Sequence, residues 1–219
     1  DVYKRQDLEI GFSKNIANDK SEVYLTASEL TGLSEGELGN LKLKSDKYIV
    51  TMAYPDVNAV LENCTNRDSR KAVWKAFNNR AVKTNSPILK EAVVLRNEKA
   101  KLFGFNTWAE YRLKYRMAKN PNNVNVMYES LIPILQESAE IEKIDLCTDN
   151  IEASEVAPWD IRYFITKKRN ELSSIDNSEL KKYFHIHDVK NEMFSICEDV
   201  FDISIKKEKS TTALSLIHI

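Results

Sequence analysis

Chain breakers are scarce in this sequence: five glycines and five prolines among 219 residues leave long stretches in which a helix can run without interruption. Folds built from many short strands need a turn every few residues, so all-β architectures are disfavoured and a mainly α fold is expected. The length suits one large domain or parts of two, given a soft prior of about 150 residues per domain. Hydrophobic residues at 42% supply a core and keep the chain out of the disordered class, while charged residues at 30% stand somewhat above the ~25% average.

The apolar pattern divides these stretches. Leu8, Phe12 and Ile16 recur every four positions between Asp7 and Lys20, one helical face. Thr26-x-x-Glu29 and Ser34-x-x-Glu37 are capping boxes that each open a short helix, with Gly32 and Gly39 as expected stops. Lys47 to Tyr54 alternates and is rich in β-branched and aromatic residues, the one clear strand, which Pro55 ends. Helical stripes follow over Arg67 to Val82 and Ser86 to Phe103, where Gly104 supplies a stop. Thr107-x-x-Glu110 caps a further helix that carries Tyr111, Leu113, Tyr115 and Met117 up to Asn120-Pro121. Val124 to Ile144 is a long periodic segment interrupted by Pro133, Thr148 to Glu155 reads as a loop, Pro158-Trp159-Asp160 opens a helix, and Val189 to Phe201 forms the last strong one. Trp74, Trp108 and Trp159 sit at helical spacing with apolar neighbours and are expected in the core. No period of 20 to 50 residues repeats, which argues against a solenoid.

Charge and chemistry exclude several functions. Lys plus Arg number 32 against 33 for Asp plus Glu, a net charge of -1, so the field that polyphosphate binding draws on is absent and no nucleic-acid partner is expected. The runs Lys167-Lys168-Arg169, Lys181-Lys182 and Lys206-Lys207 have acidic neighbours such as Glu171 and Glu179 and read as solvated helix faces. No apolar run approaches the ~20 residues of a membrane span, and no membrane partner is expected. With a charged N-terminal segment in place of a signal peptide, a cytoplasmic location is expected. Cys64, Cys147 and Cys197 are widely separated, lack a CxxC pair, and are expected as buried reduced thiols. The histidines are His185, His187 and His218; no His-Glu-x-x-His is present, and His185-Ile186-His187 beside Asp188 is better read as an exposed helix entrance than as a metal site. Nucleophile elbows and glycine-rich phosphate loops are missing too.

Several ordered segments nevertheless carry a family resemblance. The strongest is Asn85-Ser-Pro-Ile-Leu-Lys-Glu-Ala-Val-Val-Leu-Arg96 with Glu98-Lys-Ala-Lys-Leu-Phe-Gly-Phe105, continuing through Trp108-Ala-Glu-Tyr111 to Arg116-Met-Ala-Lys119. Upstream are Leu25-Thr-Ala-Ser-Glu-Leu-Thr-Gly-Leu33, Tyr48-Ile-Val-Thr-Met-Ala-Tyr-Pro-Asp56, and Arg70 with Ala76-Phe77 and Arg80; downstream are Pro158-Trp-Asp-Ile-Arg-Tyr-Phe164 and Leu180-Lys-Lys-Tyr-Phe184. In this order they resemble the thimet oligopeptidase, neurolysin and oligopeptidase A family of zinc metallopeptidases, over about Asp7 to Lys209.

The resemblance implies a helical lobe of a clam-shaped zinc metalloendopeptidase, with at most one short strand region, whose channel admits short peptides as substrates and holds zinc at its floor. In the family the His-Glu-x-x-His helix and the remaining substrate and metal contacts lie C-terminal to the matched segments. No residue here is therefore assigned a catalytic, cofactor-binding or metal role, and residues 7–209 are expected to form channel-wall helices that bind no zinc and are inactive alone. Residues 1–6 and 210–219 depart from the family pattern and are expected to be non-native ends. Asp202 stands where the family tends to have Gly after a helix, a place Asp tolerates better than most residues. The alternative, from another functional class, is a stand-alone, non-catalytic helical protein-interaction module.

Overall fold

The computed structural model describes residues 2–147, 152–172, 180 and 183–206. The tail 210–219, His218 and the Thr148–Ile151 part of the expected loop lie outside the described residues, as do Lys181, Lys182 and Lys207. Two compact units are distinguished, residues 1–169 and 170–219.

In the first unit, α1 (Val2–Ala17) leads into strand β1 (Glu22–Leu25) and a 3-10 turn over Ala27–Leu30. The Thr26 hydroxyl accepts from the Glu29 amide while the Glu29 carboxylate accepts from the Thr26 amide, the reciprocal box expected from the sequence. The same geometry at Ser34 and Glu37 opens α2 (Glu35–Asn40). Gly32 ends the first turn with φ of 100°, and a Cβ there would meet the Asn63 carbonyl oxygen at 2.3 Å, so the position requires glycine on two counts. Gly39 does not end α2; the helix runs one residue past it and Leu41 caps it in an extended conformation.

The expected strand is present as β3 (Lys47–Thr51), and two strands not marked in the sequence, β1 and β2 (Lys42–Lys44), pair with it in the antiparallel order β1-β3-β2. The register sets Val23 opposite Val50 and Leu43 opposite Tyr48. Ser45 and Asp46, both at positive φ (49° and 63°), form the two-residue hairpin between β2 and β3. At Tyr54 the chain has already turned into α3 (Tyr54–Asn63), with Pro55 in its first turn. The Asp56 carboxylate fixes this junction, accepting from the Thr51 amide at 3.1 Å and the Thr51 hydroxyl at 2.6 Å.

α3 and α4 (Arg67–Asn78) lay their apolar stripes against the sheet, and Val50, Val57, Val60, Cys64 and Val73 are fully enclosed between them. Each such side chain contributes about 1.5–3 kcal/mol of hydrophobic stabilisation relative to exposure. α5 (Val82–Leu102) runs beside α1, where the buried Asn85 amide donates to the Phe12 carbonyl at 3.0 Å and accepts from Asn15 at 2.9 Å. Gly104, at φ 78°, closes α5 as expected. α6 is short (Trp108–Leu113), so Tyr115 and Met117 lie beyond it on the surface. α7 (Pro121–Leu146) continues through Pro133, and α8 (Pro158–Leu172) starts at the expected Pro158.

The second unit contains α9 (Ile186–Phe201), which ends on Asp202 in the left-handed conformation (φ 50°, ψ 44°), the tolerance expected of Asp at this place.

Candidate functional site

Charge inside the first unit concentrates where α4 meets α8. The side chain of Asn66 accepts from the amides of Asp68 (3.0 Å) and Ser69 (3.2 Å), a cap that starts α4 at Arg67. Arg67 and Arg70, spaced i, i+3, then share one helix face. Both point at Asp160 near the start of α8: Arg70 Nη2 donates to Oδ1 at 2.7 Å, and Arg67 Nε donates to Oδ2 at 3.0 Å. The Ala157 amide adds a bond at 3.1 Å. Arg70 further donates to the carbonyls of Cys64 (2.8 Å) and Thr65 (3.1 Å), and its guanidinium lies 4.3 Å from the centroid of the Tyr163 ring. Arg70 and Asp160 are 1% and 0% exposed. Burial opposes ionisation of Asp160, but hydrogen bonds from Arg67 and Arg70 outweigh it and hold the carboxyl below the usual carboxylate range. A carboxylate locked in its charged form and sealed from solvent is neither a general acid nor a base. Its work is mechanical, joining helices whose contacting residues lie 90 positions apart. Trp74 and Trp159 pack edge to face beside it, at 5.7 Å.

The surface offers a second polar place, a cleft of about 600 Å³ between the end of α1 and the α4–α5 corner, lined by Ser13, Asp19, Thr51, Tyr54 and Arg80 among others. Asp19 accepts from the Ser21 amide at 2.9 Å and from the Ala81 amide at 2.7 Å. A hydrogen bond from the Ser21 side chain, then the bonds from the Ser21 and Ala81 amides, pull its pKa below the ordinary value. Ala81 is left-handed (φ 53°, ψ 17°), a conformation that costs a residue with a Cβ about 1–2 kcal/mol. Arg80 donates to the Phe77 carbonyl at 2.8 Å and covers the Phe77 ring at 3.7 Å. The cleft can hold a polar chain, and the Ser21 hydroxyl and the Asp19 carboxylate both line it, the carboxylate being tied as well by two backbone amides.

The other residues weighed in the sequence fall as follows. Cys64 is buried, its thiol donating to the Glu29 carbonyl at 3.3 Å and pushed up in pKa by desolvation; Cys147 and Cys197 are free thiols but only partly buried, because α7 and α9 leave them at the edge of their packing. His185 and His187 are exposed at the start of α9, where His187 Nδ1 lies 3.0 Å from the Asn191 amide nitrogen and 3.8 Å from Asp188. Among the described residues no three His, Cys, Asp or Glu side chains are grouped to hold a metal ion. Nor is any described helix long and apolar enough to cross a membrane. Trp108 is not a core residue: it lies half-exposed against Tyr111 with Arg112 over it. Sequence reading missed the Arg67–Arg70–Asp160 cluster. Its one signal was an arginine pair at i, i+3 on an otherwise apolar-backed helix.

Comparison with known proteins supplies what the geometry does not. The family model described as peptidase family M3 matches residues 60–215. Oligopeptidase A of Haemophilus influenzae is 30% identical over 219 residues, covering 93% of this chain and 31% of that protein. The thimet-like oligopeptidase of Dictyostelium discoideum is 28% identical, covering 91% and 32%, and saccharolysin of Saccharomyces cerevisiae is 28% identical, covering 95% and 32%. The chain spans about a third of the length of these curated relatives.

Proposed function

Since the chain belongs to peptidase family M3, we propose that it is part of a zinc-dependent oligopeptidase that hydrolyses short peptides, and that residues 7–209 form helices of the peptide channel's wall. The observation that carries this reading is the family match, which runs over residues 60–215, well over half of the chain. The names of two of these relatives, oligopeptidase A and thimet-like oligopeptidase, support the substrate class.

Zinc does not fit the donor groups of the described residues. His185, His187 and Asp188 share an exposed turn, and they do not converge into a metal-binding group among the described residues. No step of hydrolysis is therefore assigned to these side chains. Their contribution is rigidity: the Arg67–Arg70–Asp160 cluster fastens α8 to α4, and the side chain of Arg162 reaches Asn58 of α3. A stiff wall of this kind would admit extended short peptides and exclude folded proteins, whose unfolding costs about 5–15 kcal/mol.

Hydrolysis of a quenched fluorescent peptide by the purified chain, with and without added zinc, tests the reading. The expected result is no metal-dependent turnover, together with a His-Glu-x-x-His motif in frame downstream of residue 209. Zinc-dependent turnover by this chain would defeat the assignment of the chemistry to other residues, and a downstream frame without the motif would defeat the assignment to a zinc peptidase.

The exposed apolar residues of α7, Ile134 and Leu135 among them, favour a second reading as a stand-alone interaction module. A monodisperse chain with a cooperative melt would support it. Aggregation on warming would support a wall that lacks its opposing lobe.

A further inference from the structure

From the end of α5 through α6 to Lys119 the surface has a character of its own. Residues 96–119 hold seven Lys and Arg against two Glu, in a protein whose net charge is -1. The aromatic rings between these cations form one continuous group. Phe103 stacks on Tyr111 at 5.1 Å, and Phe105 and Trp108 tilt against the same Tyr111 at 5.5 and 5.4 Å. Arg112 lies over Trp108 at 5.7 Å, and Lys114 lies over both Phe105 and Tyr115 at 5.3 and 5.5 Å. Lys99, Lys101, Arg112, Lys114, Arg116 and Lys119 have no carboxylate partner among the described residues. Tyr115 and Met117 beside them are 83% and 98% exposed.

We propose that this surface docks an acidic peptide segment bearing apolar side chains. Unpaired cations held in place by ring faces meet carboxylates at less ordering cost than free lysines would, and the exposed Tyr115 and Met117 provide the apolar complement. A single-stranded nucleic acid would need open ring faces on which bases stack. Here the Tyr111 face is taken by Phe103, and cations lie over the rings of Trp108 and Phe105, so the ring faces are largely spent. The whole chain also lacks the positive field that a polyphosphate strand exploits. Binding at this surface requires no hydrolysis and stands apart from the peptidase reading.

Fluorescence anisotropy with a short labelled peptide rich in Glu and Leu tests it, beside the same peptide with Gln for Glu and a labelled oligothymidylate. The Glu peptide should bind the full chain at least about tenfold more tightly than the Gln peptide, and should weaken as salt is raised from 0.1 to 0.5 M. The triple variant R112Q/K114Q/R116Q should lose about tenfold in affinity while keeping its melting temperature, and K42Q/K44Q, on β2, should bind as the parent does. Equal binding of the two peptides, undiminished binding by the triple variant, or tighter binding of the oligothymidylate would each overturn the proposal.

Discussion

Leu30 and Leu135 are the same residue in comparable helical settings, yet the first is 1% exposed and the second 60%. Leu30 lies in the 3-10 turn that packs under α3 and α4 against the sheet. Leu135 lies on α7, which meets α6 and the 3-10 turn at Ala153–Glu155 and otherwise presents Val126, Ile132, Ile134 and Ile141 to the surface. Both segments have the apolar content of a packed element. An apolar stripe specifies a face that wants covering, and only a second surface, such as the three-stranded sheet, converts it into stability.

Substitutions separate the two regions. The largest effect is expected at the charged seam of the packed region: Asp160→Ala leaves Arg70 buried without its carboxylate and should cost about 3–5 kcal/mol in urea denaturation. If the loss is under about 1 kcal/mol, the seam is wetter than its burial indicates. Leu30→Ala should cost about 2–5 kcal/mol, whereas Leu135→Ala should stay within about 0.5 kcal/mol. A large loss at Leu135 would mean that α7 is covered in solution and would break the comparison.

Acid sharpens it next. The Asp160 pKa is lowered in the folded chain, so its contribution is present above the unfolded value near 4 and is lost as pH falls through the folded value. The urea midpoint should therefore drop below about pH 4, and Asp160→Asn should flatten that drop. The smallest effect belongs to the corner between α4 and α5: Ala81→Gly should raise stability by about 0.5–1 kcal/mol, since glycine adopts positive φ without a Cβ clash.

Helices with strong caps were legible in the sequence, as at Thr26, Ser34 and Thr107, because capping is chemistry between residues three apart. The β2–β3 hairpin was not. Its turn is Ser45-Asp46 in place of the usual Asn-Gly, and β2 is three residues with lysine at both ends. Asp160 was read as part of a helix start, which it is, but its partners on α4 are 93 and 90 positions away and no local pattern announces a bond at that range. The surface around Trp108 escaped notice for a related reason: its cations are dispersed over two helices and a turn, so no run of basic residues marks it.

The Asp19 carboxylate grips the Ala81 amide across 62 residues of chain. The angle at which α5 departs from α4 is thus dictated by a loop made much earlier in the polypeptide. Remove that carboxylate and the elbow loses its template, so the direction of the long helix, and of the aromatic surface at its far end, would rest on the packing of α5 along α1 alone.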